Sequence, residues 1–331
     1  MAAPIAPNAV FAIGTVAWLR DCGVAVRIAQ NQMGRIKMVW MKCTALALSI
    51  ALCSATAPVG ASTVQDNAQV RASRDIVYAT HATGPVHLDL YRPARSMQRP
   101  APVLVYFHGG AWARGQRPGS WTGFRPFVEA GFAVVTVQYR LSGTARAPAA
   151  VEDARCVLGW IARNAAEQGL DASRIVVTGT SAGGHLALMA GLATPADGLD
   201  PEPCGPVPKA AAILDHYGPA DLRAASRGSW NSPSLDAWLG TGADAEALAA
   251  RMSPITLVRR GQPPVFIVHG DADKVVPIQS STYLKAALDK AGVPARMFVV
   301  PGGGHGGFAP EAREQIAQES LRFLREHKVI K

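Results

Sequence analysis

From residue 75 onward, short continuous apolar runs alternate with longer stretches whose apolar residues recur at helical spacing. Residues 76–79 and 86–91 read as an opening antiparallel pair of strands. Residues 103–107, 132–139, 175–178, 210–214, 265–268 and 296–300 are further β-type runs, apolar throughout instead of alternating, which suits strands buried on both faces. Helices are predicted between them: Ala149–Gln168, preceded by Pro148 and closed by Gly169, then Ala182–Leu192, 282–291 and 311–326. Strands and helices in alternation predict an α/β fold, with a mostly parallel sheet of the eight-stranded type and helices on both faces. Residues 219–262 break the rhythm, being rich in Gly, Ser, Pro and Trp, and are expected to form a small cap insertion over the carboxyl edge of the sheet.

Composition narrows the class. Of 331 residues 49% are apolar and 17% charged, enough for a sizeable core in one domain spanning 62–331, its core at about 75–328. The net charge of +9 is unevenly spread, since residues 1–61 hold five basic side chains and one acidic one. No dense Lys/Arg cluster interleaved with aromatics occurs, which argues against a nucleic-acid partner.

That basic N-terminal region has its own pattern. Arg35, Lys37 and Lys42 precede an apolar stretch at 45–53, and Val59-Gly60-Ala61 follows with small residues that a signal peptidase accepts. The apolar stretch is too short for a lasting membrane span. Residues 34–61 are therefore expected to be an export signal removed near Ala61, placing the mature chain in the periplasm or outside the cell. The 33 residues ahead of it fit translation that begins at Met33, Met38 or Met41. Export leaves Cys156 and Cys204 in a compartment that permits pairing, although Cys156, on a helix, reads equally well as a small buried hydrophobe.

The chemistry lies in three loops that follow strands. Gly179-Thr180-Ser181-Ala182-Gly183 is a G-x-S-x-G between a β-run and a helix, and its small residues allow a tight turn that lifts the Ser181 hydroxyl above the sheet. A serine hydroxyl needs a base, and the base an orienting acid. His305 stands among glycines in Gly302–Gly307 after the last strand, in a loop without packing neighbours for a core histidine. Asp271 and Asp273 follow the 265–268 run; Asp273 is the chosen acid, Asp271 a turn-capping carboxylate, and Asp215 a weaker rival. After the first long strand, His108-Gly109-Gly110-Ala111-Trp112 offers the amides of Gly110 and Ala111, which with that of Ala182 can hold an oxyanion. Trp112 is expected to line the substrate pocket. His108, His185 and His216 read as structural. No metal-ligand spacing and no phosphate cradle occurs, so neither a metal nor a cofactor is expected.

Taken together, HGGAW at 108–112, VTVQYRLS at 135–142, GTSAGGH at 179–185, HYGPADL at 216–222, SPI at 253–255, HGDADKVVP at 269–277 and PGGGHGGF at 301–308 resemble the esterase and lipase branch of the α/β-hydrolases, in particular the bacterial feruloyl-esterase-like carboxylesterase domains. The resemblance runs collinearly over most of 75–328. It implies an α/β-hydrolase fold, triad positions for Ser181, Asp273 and His305, an oxyanion position at 109–112, and a small-molecule ester as substrate. Two departures stand out: 142–146 is shorter than the family's usual acidic and aromatic stretch, and HGGAW differs from the HGGG of the hormone-sensitive-lipase branch. Amide or peptide hydrolysis is the alternative chemistry, and a non-catalytic binding protein the alternative class.

Overall fold

The computed structural model describes residues 64–66, 69–94, 100–223 and 232–331. The expected export signal and the residues ahead of it lie outside them. The eight expected strands are present, joined by a short ninth at the amino-terminal edge. In chain order they are β1 Val64–Asp66, β2 Val70–His81, β3 Gly84–Pro93, β4 Ala101–Phe107, β5 Ala133–Val137, β6 Leu170–Thr180, β7 Ala212–His216, β8 Val265–Gly270 and β9 Ala295–Val300. They lie side by side in the order β1-β2-β3-β5-β4-β6-β7-β8-β9. The first three are antiparallel to their neighbours, and the six from β5 to β9 run parallel.

The continuous apolar runs are explained by two cores. Val103, Val105, Phe107, Val135, Val177 and Ile267 face one side, packed with residues of α2 (Ala149–Gln168), α3 (Ala182–Leu192) and α6 (Gln279–Lys290). Their alternates Leu104, Val134, Val176, Leu214 and Phe266 face the other, against Val128 of α1 (Arg125–Glu129) and Ile316, Phe323 and Leu324 of α7 (Pro310–Glu326). The strand period of two persists, but both phases are buried. Each such aliphatic side chain contributes about 1.5–3 kcal/mol by leaving water. Helix α2 ends where expected, with Gly169 in the left-handed conformation (φ 66°) receiving the closing turn.

Parallel register brings the active loops to one edge. Phe107 pairs with Gly179, Thr180 with His216, and Gly270 with Val300. The segments that follow β4, β6, β7, β8 and β9 therefore leave the sheet side by side at its carboxyl edge, where ligand sites of such sheets form. The insertion between β7 and β8 carries α4 (Pro233–Leu239) and α5 (Ala245–Arg251), and Leu235, Trp238 and Ala249 bury it against the body. Cys156 of α2 and Cys204 form a disulfide with Cα atoms 4.9 Å apart, inside the span that a bridge requires. Among the described residues no helix is long and apolar enough to cross a membrane.

Candidate active site

Strand β6 stops at Thr180 and α3 starts at Ala182, so Ser181 alone makes the turn. It does so at φ 56°, ψ −122°, a region costly for any residue with a Cβ, by about 1–3 kcal/mol. Surroundings hold it there. The Ser181 amide donates to the His216 carbonyl at 2.9 Å, and the His185 amide donates back to the Ser181 carbonyl at 3.0 Å. The glycines of the motif are dictated by space. A Cβ on Gly183 would run into the Phe107 carbonyl, and one on Gly179 into the Gly183 carbonyl. The helix thus packs directly on the end of β4, and its N-terminal field points at Ser181.

The structure brings the three expected triad residues together. His305 Nε2 lies 2.8 Å from Ser181 Oγ, and His305 Nδ1 lies 2.7 Å from Asp273 Oδ2. Asp273 Oδ1 accepts the amides of Val275 at 2.7 Å and Val276 at 3.0 Å. Burial pushes this carboxyl up, but bonds from His269, His305 and the two amides outweigh it, and Asp273 is held well below the ordinary carboxylate range. Asp271 takes the separate task expected of it, accepting the Gly302 amide at 2.6 Å. Asp215 is no partner of His305. It is fully buried at the end of β7, accepts the Gly218 amide at 3.0 Å, and burial pushes its pKa up to about 7.

The loop after β4 lies against the nucleophile turn. A Cβ on Gly109 would sit 3.4 Å from Ser181 Cβ and 3.0 Å from the Thr180 carbonyl. Gly110, Ala111 and Trp112 follow with φ of 123°, 53° and 56°. Three consecutive residues in the left-handed half of conformational space form a knot, closed by the Ala113 and Arg114 amides on the Gly110 carbonyl at 3.1 and 3.0 Å. Among the described residues, no acceptor meets the amides of Gly110, Ala111 or Ala182. His108 supports the loop from beneath: it stacks on Tyr139 at 4.3 Å and its Nδ1 lies 2.7 Å from the Gly109 carbonyl.

Trp112 departs from expectation. Instead of lining an open pocket it is 2% exposed, stacked on Trp238 of α4 at 4.4 Å, with its indole N–H donating to His185 Nδ1 at 3.3 Å. The left-handed turn at 112 points the ring into the core, where it anchors the loop. His185 is structural as expected, its Nε2 donating to the Met252 carbonyl at 2.7 Å, and burial pushes its pKa down to about 4. Burial does the same to His216.

Two further residues join the site; they stand in the strings at 216–222 and 269–277, which give them no role of their own. Tyr217, at φ 45°, sets its ring 4.9 Å from that of His305 and 5.8 Å from that of Phe308. A Cβ on Gly306 would sit 2.7 Å from the Tyr217 hydroxyl, so glycine there makes room for the tyrosine. His269, fully buried, places Nε2 3.3 Å from Asp273 Oδ2. It stands in the HGDADKVVP string, but nothing in the string marks it as more than a strand residue. Among the described residues, no group of three or more His, Cys, Asp or Glu is arranged to hold a metal ion.

The BD-FAE family model matches residues 88–288, which takes in Ser181 and Asp273 and ends before His305. The chain is 32% identical over 243 residues to Esterase LipQ of Mycobacterium tuberculosis, covering 71% of this chain and 57% of that one. It is 29% identical over 230 residues to Esterase LipC of the same organism, covering 66% and 56%. The chain thus spans a little over half the length of these curated relatives. Among solved structures, a truncated carbohydrate esterase from gut microbiota matches at TM-score 0.67 with 27% identity, over 80% of this chain and 98% of that one. The butyrate-bound esterase Est2 of the Planctomycetes species Thermogutta terrifontis matches at TM-score 0.65 with 26% identity, over 82% and 96%. Fold, collinear motifs and the extent of the family match agree: the chain has the α/β-hydrolase fold and belongs to the BD-FAE family.

Proposed function

We propose that this chain hydrolyses carboxylic esters of small acyl or aryl groups through a Ser181 acyl-enzyme. The observation that carries the reading is the unbroken chain from Ser181 Oγ to His305 Nε2 at 2.8 Å and from His305 Nδ1 to Asp273 Oδ2 at 2.7 Å. Ser181 attacks the ester carbonyl while His305 Nε2 takes its proton, and Asp273 holds the imidazole with Nε2 facing the serine. The tetrahedral oxyanion is received by the amides of Ala182, Gly110 and Ala111, each such donor contributing about 3–4 kcal/mol in comparable sites. His305 then returns the proton to the departing alcohol. Water repeats the sequence on the acyl-enzyme, releasing the acid and restoring Ser181.

Small acyl groups are favoured by the neighbour solved with butyrate bound, and esters of carbohydrates by the carbohydrate esterase neighbour. A panel of p-nitrophenyl esters from acetate to laurate, with feruloyl and acetyl-xylose esters, tests the reading. Turnover of the short esters is expected, with Ser181→Ala lowering kcat by about 10,000-fold or more. A folded Ser181→Ala protein that keeps a tenth of the activity overturns the mechanism.

A further inference from the structure

The Asp273 carboxylate sits between two imidazoles, and only one of them belongs to the triad. His269, on β8, is fully buried and has three polar neighbours. Its Nε2 lies 2.9 Å from the Val276 carbonyl and 3.3 Å from Asp273 Oδ2, and its Nδ1 lies 2.7 Å from the Ser281 hydroxyl of α6. Both atoms facing Nε2 are acceptors, so Nε2 bears the proton. The Ser281 hydroxyl, itself fully buried, then donates to Nδ1 and fixes that tautomer.

The arrangement grips the acid twice. The Nε2 proton faces the carboxylate directly. It also holds the carbonyl of Val276, whose amide donates to the other carboxylate oxygen at 3.0 Å. Without His269 the loop carrying Asp273 would lose a side-chain contact to β8, and a fully buried carboxylate would lose a positive dipole.

We infer that His269, locked by Ser281, is a positioning residue that aims Asp273 at His305 and keeps it ionised. The inference rests on the proposed triad chemistry and extends it from three residues to five. Other groups do not replace it. Asp273 is faced by His305 from the loop after β9 and by Tyr217 from the end of β7, with Asp271 and Lys274 beside it in its own loop, while Asp215 of β7 interacts with the His269 side. Of these only His305 offers it a proton. Burial pushes Asp215 up to about 7, and it spends one carboxylate oxygen on the Gly218 amide, so it takes no part in holding Asp273. The sign follows: Asp273 is held low by donors, so removing one raises the pH at which it takes up a proton.

The test is kcat and KM for p-nitrophenyl acetate across pH 4–9 in the wild type, His269→Leu, His269→Gln and Ser281→Ala, with circular dichroism and Tm for each. His269→Leu is expected to lower kcat by about 10- to 100-fold, the loss of a bond to a charged group, with KM within about twofold. The acid limb of its kcat profile, on which the triad base must be free of its proton, is expected to move up by about one pH unit, because a carboxylate relieved of one donor holds the imidazolium more tightly. His269→Gln, whose amide donates from nearly the same place, is expected to recover most of both. Ser281→Ala is expected to show the same changes, smaller. A folded His269→Leu with wild-type kcat and acid limb overturns the assignment. Should His269→Leu not fold, Ser281→Ala with both parameters unchanged overturns it instead. Ser181→Ala, run alongside, separates the two readings: retained activity there removes the triad on which the role of His269 rests, whereas its loss beside an unchanged His269→Leu removes the role of His269 alone.

Discussion

Asp271 and Asp273 are two positions apart on one loop, and their surroundings divide their work. Asp271 is exposed at the surface and spends its oxygen on the Gly302 amide, across the base of the histidine loop. Asp273 turns inward, where its side chain has no exposure and four donors converge on it. Asp273→Asn is therefore expected to lower kcat by about 1,000- to 10,000-fold, since the amide favours the wrong imidazole tautomer. Asp271→Asn keeps an acceptor oxygen for the Gly302 amide and removes only the charge at an exposed position, and is expected to lower Tm by no more than a few degrees with kcat within about threefold. Steady-state kinetics and thermal melts of the two variants check this, and the reverse ranking would make Asp271 the orienting acid. At this scale the sequence was informative wherever a role follows from neighbours in the chain. Ser181 is marked by its glycines and His305 by its loop. His269, Ser281 and Tyr217 were not legible, because each matters through a partner 4 to 88 positions away that only the folded loops and helices bring to it.

Elements were read well where burial on both faces or helical spacing left a long record. Helices α2 and α3 have the predicted ends, and every predicted strand is present. The short pieces were missed: β1 has three residues and α1 five, too few for a period to show. Strand β7 runs two residues past its apolar stretch, because Asp215 and His216 still pair with Ile267 and Val268. Sequence could not show that the insertion does more than cover the edge. Helix α4 drives Trp238 into the body, where it stacks on Trp112 with the rings 5° from parallel and meets His185 edge-on at 5.4 Å. The insertion thereby braces the left-handed loop at 110–112 from behind. Trp238→Ala is expected to cost about 3–5 kcal/mol of stability through the cavity it leaves. Because the loop it braces carries two of the proposed oxyanion donors, kcat is expected to fall by about tenfold at a temperature where the variant remains folded. Trp238→Phe, which keeps a stacking ring, should recover most of that loss. A denaturant melt and kcat measured on the same samples decide it; a stable loss of Tm with wild-type kcat would mean that the insertion does not support the loop's chemistry.

At the scale of the molecule, the disulfide and the expected export signal bear on one another. Cys156 lies on α2 beneath the sheet and Cys204 on the excursion between α3 and β7, 48 positions away. Closing a loop of that length restricts the unfolded chain enough to stabilise the fold by about 4 kcal/mol in the chain-entropy description. For a domain of this size that is on the order of 10 °C in Tm. A bridge of this kind persists in an oxidising compartment and is rare in a reducing one, so it supports the proposal that residues 34–61 direct the chain out of the cytoplasm. The expected outcome has two parts. Made with its N-terminal region in a Gram-negative host, the protein should be found in the periplasm, trimmed near Ala61 by intact-mass spectrometry, with Cys156 and Cys204 unreactive to maleimide. The same body made from residue 62 in the cytoplasm should carry two free thiols and melt about 10 °C lower, a difference that oxidation in vitro restores and Cys156→Ala abolishes. A protein that stays in the cytoplasm with a mass that still includes residues ahead of Met38 would refute the export reading. Equal melting temperatures with and without reductant would show instead that packing around α2 already holds the excursion, and that the bridge adds nothing to it.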